Sequence, residues 1–532
     1  MKLRELTLEN YKGFVNFTTT FDDSSPITTI IGRNGVGKSN LIEAIISIFR
    51  MLDLGNSDKT DFSYTLIYEC RGHEVQVKFD ALHQSKSLVN IDGKKKSFAF
   101  LKSNANEYLP LNVFAYYSGT NWRVEELFVK HQTHFYKRLT EGDDNLLRRF
   151  FYCRDVHSFF VLLAFLVDDD PACLGLLKTL GIKKLDSVLF CLKKPYWFKN
   201  KPSEIMLNEG DPRFWYSRGI VQVFLDKLWN YSVAPIDNKE RKNIDFRGRS
   251  EQQERLYMFI PNDTTLREFA SEYSNTTSFF KNIESTYIAD ILESVSVSVT
   301  LENGQELTFD KLSEGERQLM TVLGLMKFTR DDESLFLLDE PDTHLNPRWK
   351  LDYFKQIENI LDHKIQGTNR TAWDSSQVIL TTHDPLMLTS LGAGQVRVLS
   401  WAHESGKKVS ESPDVDPKNM GVEAIIQSEL YGIRTSLNKE LQHKIDLRNR
   451  LLSKENIGKV TAEELISLNH ELDLIGISHA HPNPYFSNFA KALNRSPLFR
   501  REKFTSEEYQ DLQDLTDELL GELMEEDNND LH

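Results

Sequence analysis

The chain has 532 residues, of which 40% are hydrophobic and 27% charged, a composition typical of globular proteins with a large buried core. At roughly 150 residues per domain, this length predicts two to four domains. The 64 Lys and Arg residues against 79 Asp and Glu give a net charge of −15. That balance excludes a basic coat over the whole protein, but it does not exclude local basic patches.

Cysteine spacing and apolar runs indicate the compartment. The four cysteines form no C-x-x-C pair, so the sequence predicts neither a disulfide framework nor a zinc knuckle. The N-terminus alternates apolar and charged residues and shows no apolar signal segment. The best candidate membrane segment, FFVLLAFLV at 159–167, is too short to span a bilayer. We therefore expect a cytoplasmic protein without a membrane partner.

The first part of the chain predicts a lobe built on strands. Residues 2–8 alternate Leu with charged residues, and ITTII (27–31) has the length and β-branching of a buried strand. That strand runs into GRNGVGKSN (32–40) and then into the apolar helix LIEAIISIFRML. Further strand patterns follow within 62–100 and at LPLNVFAYYSG (109–119).

From about residue 120 the pattern becomes helical and rich in aromatic residues, which predicts a mainly helical insertion. Strands return near 294, where the alternation of 294–310 with an Asn-Gly bend predicts a hairpin. SLFLLDEPDTHLNP (334–347) and SQVILTTHDP (376–385) each begin with a buried strand, and the rest is helical with an acidic tail. The predicted domains are 1–119, 120–293, 294–402 and 403–532.

The stretch GRNGVGKS matches the phosphate-loop pattern G-x-x-x-x-G-K-S in full. Its glycines let backbone N–H groups turn toward a phosphate chain, Lys38 adds a point charge, and the Ser39 hydroxyl can hold Mg²⁺. A chance glycine-rich turn is the alternative, but a buried strand before it and an apolar helix after it are what the mechanism requires. The predicted nucleotide-binding residues of this loop are Gly32, Arg33, Asn34, Gly35, Val36, Gly37, Lys38, Ser39 and Asn40.

Two acidic residues close another buried strand. Asp339 and Glu340 follow LFLL, and the carboxyl ends of strands meet at the ligand edge of an α/β sheet. We expect Asp339 to help hold Mg²⁺ and Glu340 to orient and deprotonate an attacking water; a pair of helix-start acids is the alternative. His383, at the end of the next strand, is expected to sense the γ-phosphate, although a lone histidine is usually structural. The predicted catalytic residues are Glu340, Lys38 and His383, and the predicted metal ligands are Ser39 and Asp339.

The stretch LSEGE contains a second helix start, far along the chain from the phosphate loop. Ser313 has the position of an N-cap, with Glu316 three residues later as in a capping box. Gly315 is unfavourable inside a helix, so we expect something to approach the backbone at this point. A free helix N-terminus with a hydroxyl and a glycine favours an anion, and a well-formed helix start without a ligand is the alternative.

In this order, GRNGVGKS, LSEGE, the Asp339-Glu340 pair and His383 resemble the motifs of ABC-type ATPases, LSEGE standing for their LSGGQ-type signature. With the opening LTLENYKGF and no membrane domain, the chain resembles the cytosolic branch that includes the SMC, RecF and OLD-type proteins. The resemblance covers about 1–119 and 294–402. It implies an α/β fold, namely an ABC-type P-loop ATPase head with a mixed sheet, a helical insertion between its lobes and a helical C-terminal region.

The same resemblance implies how the second helix start is used. In the family, ATP is held between two heads, with the phosphate loop of one facing the signature of the other. Ser313, Gly315 and Glu316 would then contact ATP bound by a second copy, in a homodimer or a higher homo-oligomer. The expected cofactors are ATP and Mg²⁺, and the expected activity is ATP hydrolysis.

Some family positions are not matched clearly. The glutamine of the family's Q-loop has no counterpart, and residues 116–118 occupy its place. His344 and Asn346 lie in a segment that resembles the family's D-loop, which crosses the dimer interface. Lys12 corresponds in place to a basic residue near the nucleotide in related heads. These three residues are the weaker candidates for the site.

A narrower resemblance comes from the C-terminal region. MGVEAIIQSELYGIRTSL (420–437) and NPYFSNFAKAL (483–493) are similar to the helical tail of the PtuA-type ATPases of Septu and retron-linked antiphage defence systems. This resemblance implies a separately encoded HNH endonuclease of the PtuB type as a partner and, in retrons, a reverse transcriptase with its RNA–DNA product. A RecF- or SMC-like DNA-repair ATPase that binds DNA directly is the alternative. A self-contained nuclease is less favoured, because no Toprim-like acidic motifs follow residue 402.

Three smaller features keep two interpretations each. KKPYWFKNKP (193–202) could stack bases while its lysines meet phosphate, or it could be a charged loop anchored by a few aromatics. The apolar stripe of the helix at 436–452 predicts packing against the core or against a partner. SHAH (478–481) is expected to be a solvated turn rather than a metal site, because no third ligand lies nearby.

Overall fold

The computed structural model describes residues 1–474 except short segments, which are 23–24, 56–58, 145–147, 200, 244–246, 249, 330–332, 363–370, 403–405, 419, 434–436 and 453–458. The predicted turn at 478–481 and the tail segment at 483–493 therefore lie outside the described residues. The Cα positions form two compact units. They are Met1–Met387 with Gly394–Glu411, and Leu388–Ala393 with the chain from Ser412 onward.

The described residues contain 18 strands. In chain order they are β1 (Lys2–Tyr11), β2 (Phe14–Thr20), β3 (Ile27–Gly32), β4 (Tyr64–Cys70), β5 (His73–Phe79), β6 (Leu88–Ile91), β7 (Lys94–Lys96), β8 (Asn112–Tyr117), β9 (Phe150–Tyr152), β10 (Ile182–Lys193), β11 (Val233–Asn243), β12 (Ser250–Ile260), β13 (Leu292–Leu301), β14 (Glu306–Thr308), β15 (Ser334–Asp339), β16 (Gln377–Thr381), β17 (Val396–Trp401) and β18 (Lys408–Glu411).

The same residues contain 17 α-helices. They are α1 (Lys38–Leu54), α2 (Phe98–Ser103), α3 (Ala105–Tyr108), α4 (Val129–Thr140), α5 (His157–Leu166), α6 (Pro171–Thr179), α7 (Glu204–Glu209), α8 (Gly219–Tyr231), α9 (Asp263–Ser271), α10 (Thr276–Ile288), α11 (Glu314–Thr329), α12 (Pro347–Leu361), α13 (Ala372–Ser375), α14 (Pro385–Leu388), α15 (Val422–Gln427), α16 (Lys439–Leu452) and α17 (Lys459–Leu474). None of these helices is long and apolar enough to cross a membrane.

A seven-stranded central sheet carries the motifs. Its order is β18-β17-β3-β16-β15-β8-β9, and every neighbouring pair is parallel except β17 with β18. The predicted α/β fold with a mixed sheet is confirmed. Because β3, β15 and β16 run in the same direction, the residues that follow them meet at one edge of the sheet.

An antiparallel sheet of order β2-β1-β4-β5-β6-β7 forms the rest of the first lobe. Helix α1 is buried in the core between this sheet and one face of the central sheet, which explains why its sequence is apolar nearly all round. The buried residues of that face include Leu335 and Leu337 of β15 and Val113 and Ala115 of β8. The helix that carries the phosphate loop is therefore fixed on both sides.

The insertion contains the predicted helices, but it also contains four strands that the sequence analysis does not predict. Strand β9 extends the central sheet beyond β8. Strands β10, β11 and β12 join β13 and β14 in an antiparallel sheet of order β11-β12-β10-β13-β14. This sheet crosses the domain boundary predicted at residue 293, since β13 begins at Leu292. The predicted hairpin at 294–310 forms from β13 and β14.

In the second unit, α16 and α17 contact each other. Leu451, Leu468 and Leu472 are buried, and Lys444 pairs with Glu471 at 3.1 Å. The apolar stripe of α16 thus takes part in packing within the chain.

Candidate functional site

The phosphate loop connects β3 to α1 in the conformation that its glycines allow. Gly32 has φ +149° and Gly37 has φ +113°, backbone states that residues with a side chain rarely adopt. A Cβ on Gly32 would overlap the carbonyl oxygen of Leu399 on β17, and one on Gly37 would lie 2.9 Å from Nζ of Lys408. Both positions therefore favour glycine for their φ angles, and Gly32 also requires it for steric reasons, since the atom it would meet is backbone.

The other predicted loop residues divide into an exposed rim and a buried base. Arg33, Asn34 and Gly35 are exposed, whereas Val36 and Lys38 are buried. Helix α1 begins at Lys38, directly after the loop, so its free N–H groups face the loop and favour an anion there.

Lys38 lies over the loop that precedes it. Its Nζ donates a hydrogen bond to the Gly32 carbonyl at 2.9 Å. Burial lowers the pKa of Lys38, while the charges of Glu340 and Asp339 act in the opposite direction. The ammonium is thus close to Asp339, which ends β15, and to Glu340, which follows it.

Asp339 ends β15 and is almost fully buried, with 1% of its surface exposed. Burial raises the pKa of its carboxyl group, and hydrogen bonds from the Ser39 and Thr381 hydroxyls partly offset that rise. Its Oδ1 accepts the bond from Thr381, and its Oδ2 has no hydrogen-bond partner among the described residues. A buried carboxylate oxygen without a partner beside a serine hydroxyl fits a Mg²⁺ site, since Mg²⁺ prefers oxygen ligands.

Glu340 is held in an unusual backbone conformation. Its φ is +51°, which is uncommon for a residue with a side chain and marks local strain. The strain is maintained by two hydrogen bonds from its N–H to Thr381, to the carbonyl and to the hydroxyl oxygen, both at 3.1 Å. Its Oε1 lies 3.3 Å from Nδ1 of His383, so the two predicted catalytic residues are neighbours.

The second helix start folds as a capping box. Ser313 Oγ accepts from the N–H of Glu316 at 3.3 Å, and Glu316 Oε2 accepts from the N–H and the hydroxyl of Ser313, each at 2.7 Å. A Cβ on Gly315 would overlap the backbone carbonyl oxygen of His344. The group that approaches this glycine is therefore a carbonyl of the same chain, so its presence does not by itself indicate a ligand.

The helix start is tied to the segment that follows Glu340 rather than to the phosphate loop. Gln318 of α11 donates to the Pro341 carbonyl at 2.7 Å, and His344 Nδ1 lies 3.6 Å from Glu314. Among the described residues, no hydrogen bond or ion pair joins Ser313 or Glu316 to the phosphate loop. Within the described part of one chain, the signature is thus not bonded directly to the phosphate loop.

The weaker candidates have structural partners. Asn346 caps α12 by accepting from the N–H of Trp349 at 3.0 Å. Lys12 pairs with Glu43, a buried residue of α1. Residues 116–118, which occupy the position of the Q-loop, contact the end of β15, because the N–H of Ser118 donates to the Asp339 carbonyl at 3.2 Å.

Two residues that the sequence analysis misses belong to the site. Arg123 donates to Asn40 Oδ1 at 2.6 Å and pairs with Glu43, and therefore lies beside the start of α1. Thr381 connects Asp339 to Glu340, as described above. The sequence shows only a charged residue after β8 and a threonine at a strand end, and neither pattern predicts a contact across the sheet.

The basic-aromatic stretch is attached to its own chain. Trp197 Nε1 donates to the Ala289 carbonyl at 2.8 Å, Lys193 pairs with Asp290, and Lys194 lies 3.6 Å from Glu254. These contacts favour the anchored loop over a free nucleic-acid platform.

Comparisons with known proteins agree with this geometry. Residues 1–143 match the family described as "AAA ATPase domain", and residues 213–389 match that described as "AAA domain, putative AbiEii toxin, Type IV TA system". With the phosphate loop and the acidic strand end, these matches define the class of protein as one with AAA-type ATPase domains in these two parts of the chain.

Its relatives include a retron ATPase and a Septu protein. The chain is 22% identical to the "Retron Vc95 probable ATPase" of Vibrio cholerae, over 79% of this chain and 77% of that one. It is 29% identical to "Septu protein PtuA" of Bacillus mycoides, over 27% of this chain and 18% of that one.

Two further comparisons are more limited. A stretch of 84 residues is 38% identical to RecF of Rickettsia prowazekii, covering 16% of this chain and 21% of that one. The SMC head domain from Thermotoga maritima aligns over 78% of this chain and 100% of its own at 12% identity, with a TM-score of 0.33, too low for an argument about the fold.

Proposed function

We propose that this protein binds ATP with Mg²⁺ and hydrolyses it to drive the joining and separation of two copies of itself. The observation that carries the proposal is the convergence of Lys38, Ser39, Asp339 and Glu340 at one edge of the central sheet. Phosphoryl transfer to water requires charge neutralisation and a positioned nucleophile, and this edge offers groups for both.

Each residue has a role in that reaction. The N–H groups of the loop and the Lys38 ammonium bind the phosphates of ATP. Ser39 and Asp339 would hold Mg²⁺, which would neutralise charge on the β- and γ-phosphates. Glu340 orients water for attack and accepts its proton, and the neighbouring His383 holds the Glu340 carboxylate toward the γ-phosphate.

The dimer is supported by the start of α11, which is bonded to the segment after Glu340 and not directly, among the described residues, to the phosphate loop. If Ser313, Gly315 and Glu316 act on a nucleotide, it is one bound by another copy. The exposed Ser313 hydroxyl and the start of α11 would then complete a site whose remaining groups belong to the partner.

Replacement of Glu340 tests this scheme. Glu340→Gln keeps the size and hydrogen bonding of the side chain but removes the base, so hydrolysis should fall by about 100-fold or more while ATP binding remains. Size-exclusion chromatography with light scattering should then show a stable dimer in ATP. The double variant with Lys38→Ala is the control and should stay monomeric. Normal turnover by Glu340→Gln would contradict the assigned role.

We further propose that the ATPase cycle controls a separate HNH endonuclease in a cytoplasmic antiphage defence system of the Septu or retron type. The support is the similarity to the retron ATPase over most of both chains and the local similarity to Septu PtuA. A reverse transcriptase with its RNA–DNA product would be a further partner in the retron case. Neighbouring reading frames that lack an HNH gene would oppose this assignment.

A DNA-repair ATPase that binds DNA directly is the second candidate, favoured by the local similarity to RecF. It predicts ATP-dependent binding of duplex DNA by the purified chain alone, with an affinity that falls steeply as salt increases. Absence of such binding, at salt concentrations where the nuclease complex is active, would exclude it.

A further inference from the structure

Trp401 is an exposed aromatic residue beside the phosphate loop. It ends β17, the strand that pairs with β3, and its side chain is 55% exposed. In that pairing Leu399 lies opposite Gly32, the first glycine of the loop. Trp401 therefore stands two residues beyond the loop's entry, on a strand whose register is fixed by the central sheet.

The indole is held there by Lys408, which is opposite it on β18. Lys408 is buried, with 5% of its surface exposed. Its ammonium lies 5.2 Å from the centroid of the Trp401 ring and 4.4 Å from that of Phe14, so two aromatic faces stabilise one cation.

The same ammonium contacts the loop and the turn before it. It donates to the Lys12 carbonyl at 3.3 Å, and a Cβ on Gly37 would lie 2.9 Å from it. Burial lowers the pKa of Lys408. Trp401 and Gly37 are thus on two sides of one buried cation.

This arrangement points toward the non-phosphate part of a nucleotide. The Lys12 carbonyl also accepts from Asn40 at 3.4 Å, so the Lys408 cluster adjoins the end of the loop from which α1 continues. An exposed indole held beside the loop offers a flat surface, and a nucleobase stacks on such a surface whatever its hydrogen-bonding edge.

We propose that Trp401 is the stacking platform for the base of bound ATP and that Lys408 positions its ring. The proposal rests on the proposed function, because it needs a triphosphate in the loop. It assigns Trp401 a direct contact with the ligand and Lys408 an indirect role.

The test separates the base from the phosphates. Dissociation constants for ATP and for inorganic tripolyphosphate, both with Mg²⁺, are measured by titration calorimetry on the full chain and on Trp401→Ala. Loss of one stacking contact should weaken ATP binding about tenfold and leave tripolyphosphate binding within about twofold. Trp401→Phe should keep most of the ATP affinity.

Another exposed aromatic residue provides a matched control. Tyr196, another exposed ring with a lysine over its face at 5.0 Å, lies in the insertion, and Tyr196→Ala should change neither constant. If Trp401→Ala binds ATP as tightly as the wild type while Lys38→Ala does not bind it, the stacking inference is wrong and the proposed function still stands. An equal loss for ATP and tripolyphosphate would overturn the stacking inference as well. Failure of the wild type to bind ATP would instead refute the proposed function.

Discussion

The glycine at position 315 can be explained in two ways. Glycine at the second position of α11 weakens the helix, and the motif to which it belongs makes a ligand the natural cause. The structure supplies another cause, because the His344 carbonyl occupies the space that a side chain would need. The close approach fixes the segment after Glu340 against the start of α11 within one chain.

Gly315→Ala should therefore destabilise the protein even without nucleotide. The added methyl group must displace backbone, and overpacking of this kind costs about 1–3 kcal/mol. Urea denaturation of the nucleotide-free chain measures the change in the free energy of unfolding. Gly175 of α6, which has no atom near its Cβ position, is the control, and Gly175→Ala should gain up to about 1 kcal/mol. An unchanged free energy for Gly315→Ala would contradict the packing explanation.

The residues of the site differ in how far sequence alone predicts them. Lys38, Ser39, Asp339 and Glu340 are found because each chemistry is tied to a local pattern, a loop or a strand end. Arg123 is not found, because its place beside Asn40 depends on where the chain returns after β8. Contacts between residues distant in sequence leave no local pattern in a single chain.

At the scale of elements, the strands of the first lobe and of the central sheet are predicted where apolar runs or alternation are clear. Strands β11 and β12 are missed because charged residues replace the alternation over much of their length, as in VAPIDNKERKN. Their pairing with β10, and so with β13, determines their structure. Tertiary pairing has here overridden weak local preference.

Helix α5 places a histidine in the core of the insertion. His157 is 1% exposed, and its Nδ1 accepts from the N–H of Arg154 at 2.9 Å. Burial lowers its pKa well below the ordinary value, and the guanidinium groups of Arg148 and Arg154 add to this shift. Glu284, 3.9 Å from Nε2, pairs with Arg148 at 2.5 Å. The imidazole is therefore neutral in the folded protein.

The buried, neutral His157 predicts that the free energy of unfolding falls in acid. Below pH 6.5 the unfolded chain binds a proton on His157 and the folded chain does not, so stability falls as pH falls. One such group contributes up to about 1.4 kcal/mol per pH unit. His157→Asn keeps the acceptor for Arg154 and should flatten the slope of unfolding free energy against pH by that amount. A slope for His157→Asn equal to that of the wild type would contradict this origin.

At the scale of the whole molecule, the proposed function divides each catalytic centre between two copies of the chain. One copy would supply the phosphate loop with its acids, and the other would supply the start of α11. It follows that two variants, each defective in a different half, should complement each other when mixed.

The most direct measurement is ATP hydrolysis by a mixture of Lys38→Ala and Ser313→Asp. Aspartate can still accept from the N–H of Glu316 as a helix cap, although it loses the bond to the Glu316 carboxylate, and its charge opposes the partner's phosphates. An unchanged melting temperature of Ser313→Asp checks that the fold is kept while the site is lost. Each variant alone should be inactive. With random pairing, half the dimers are mixed and each holds one intact site, so an equal mixture should recover about a quarter of wild-type activity. No recovery from mixed dimers that demonstrably form, or full activity of Ser313→Asp alone, would contradict the claim that each site is completed by a second copy.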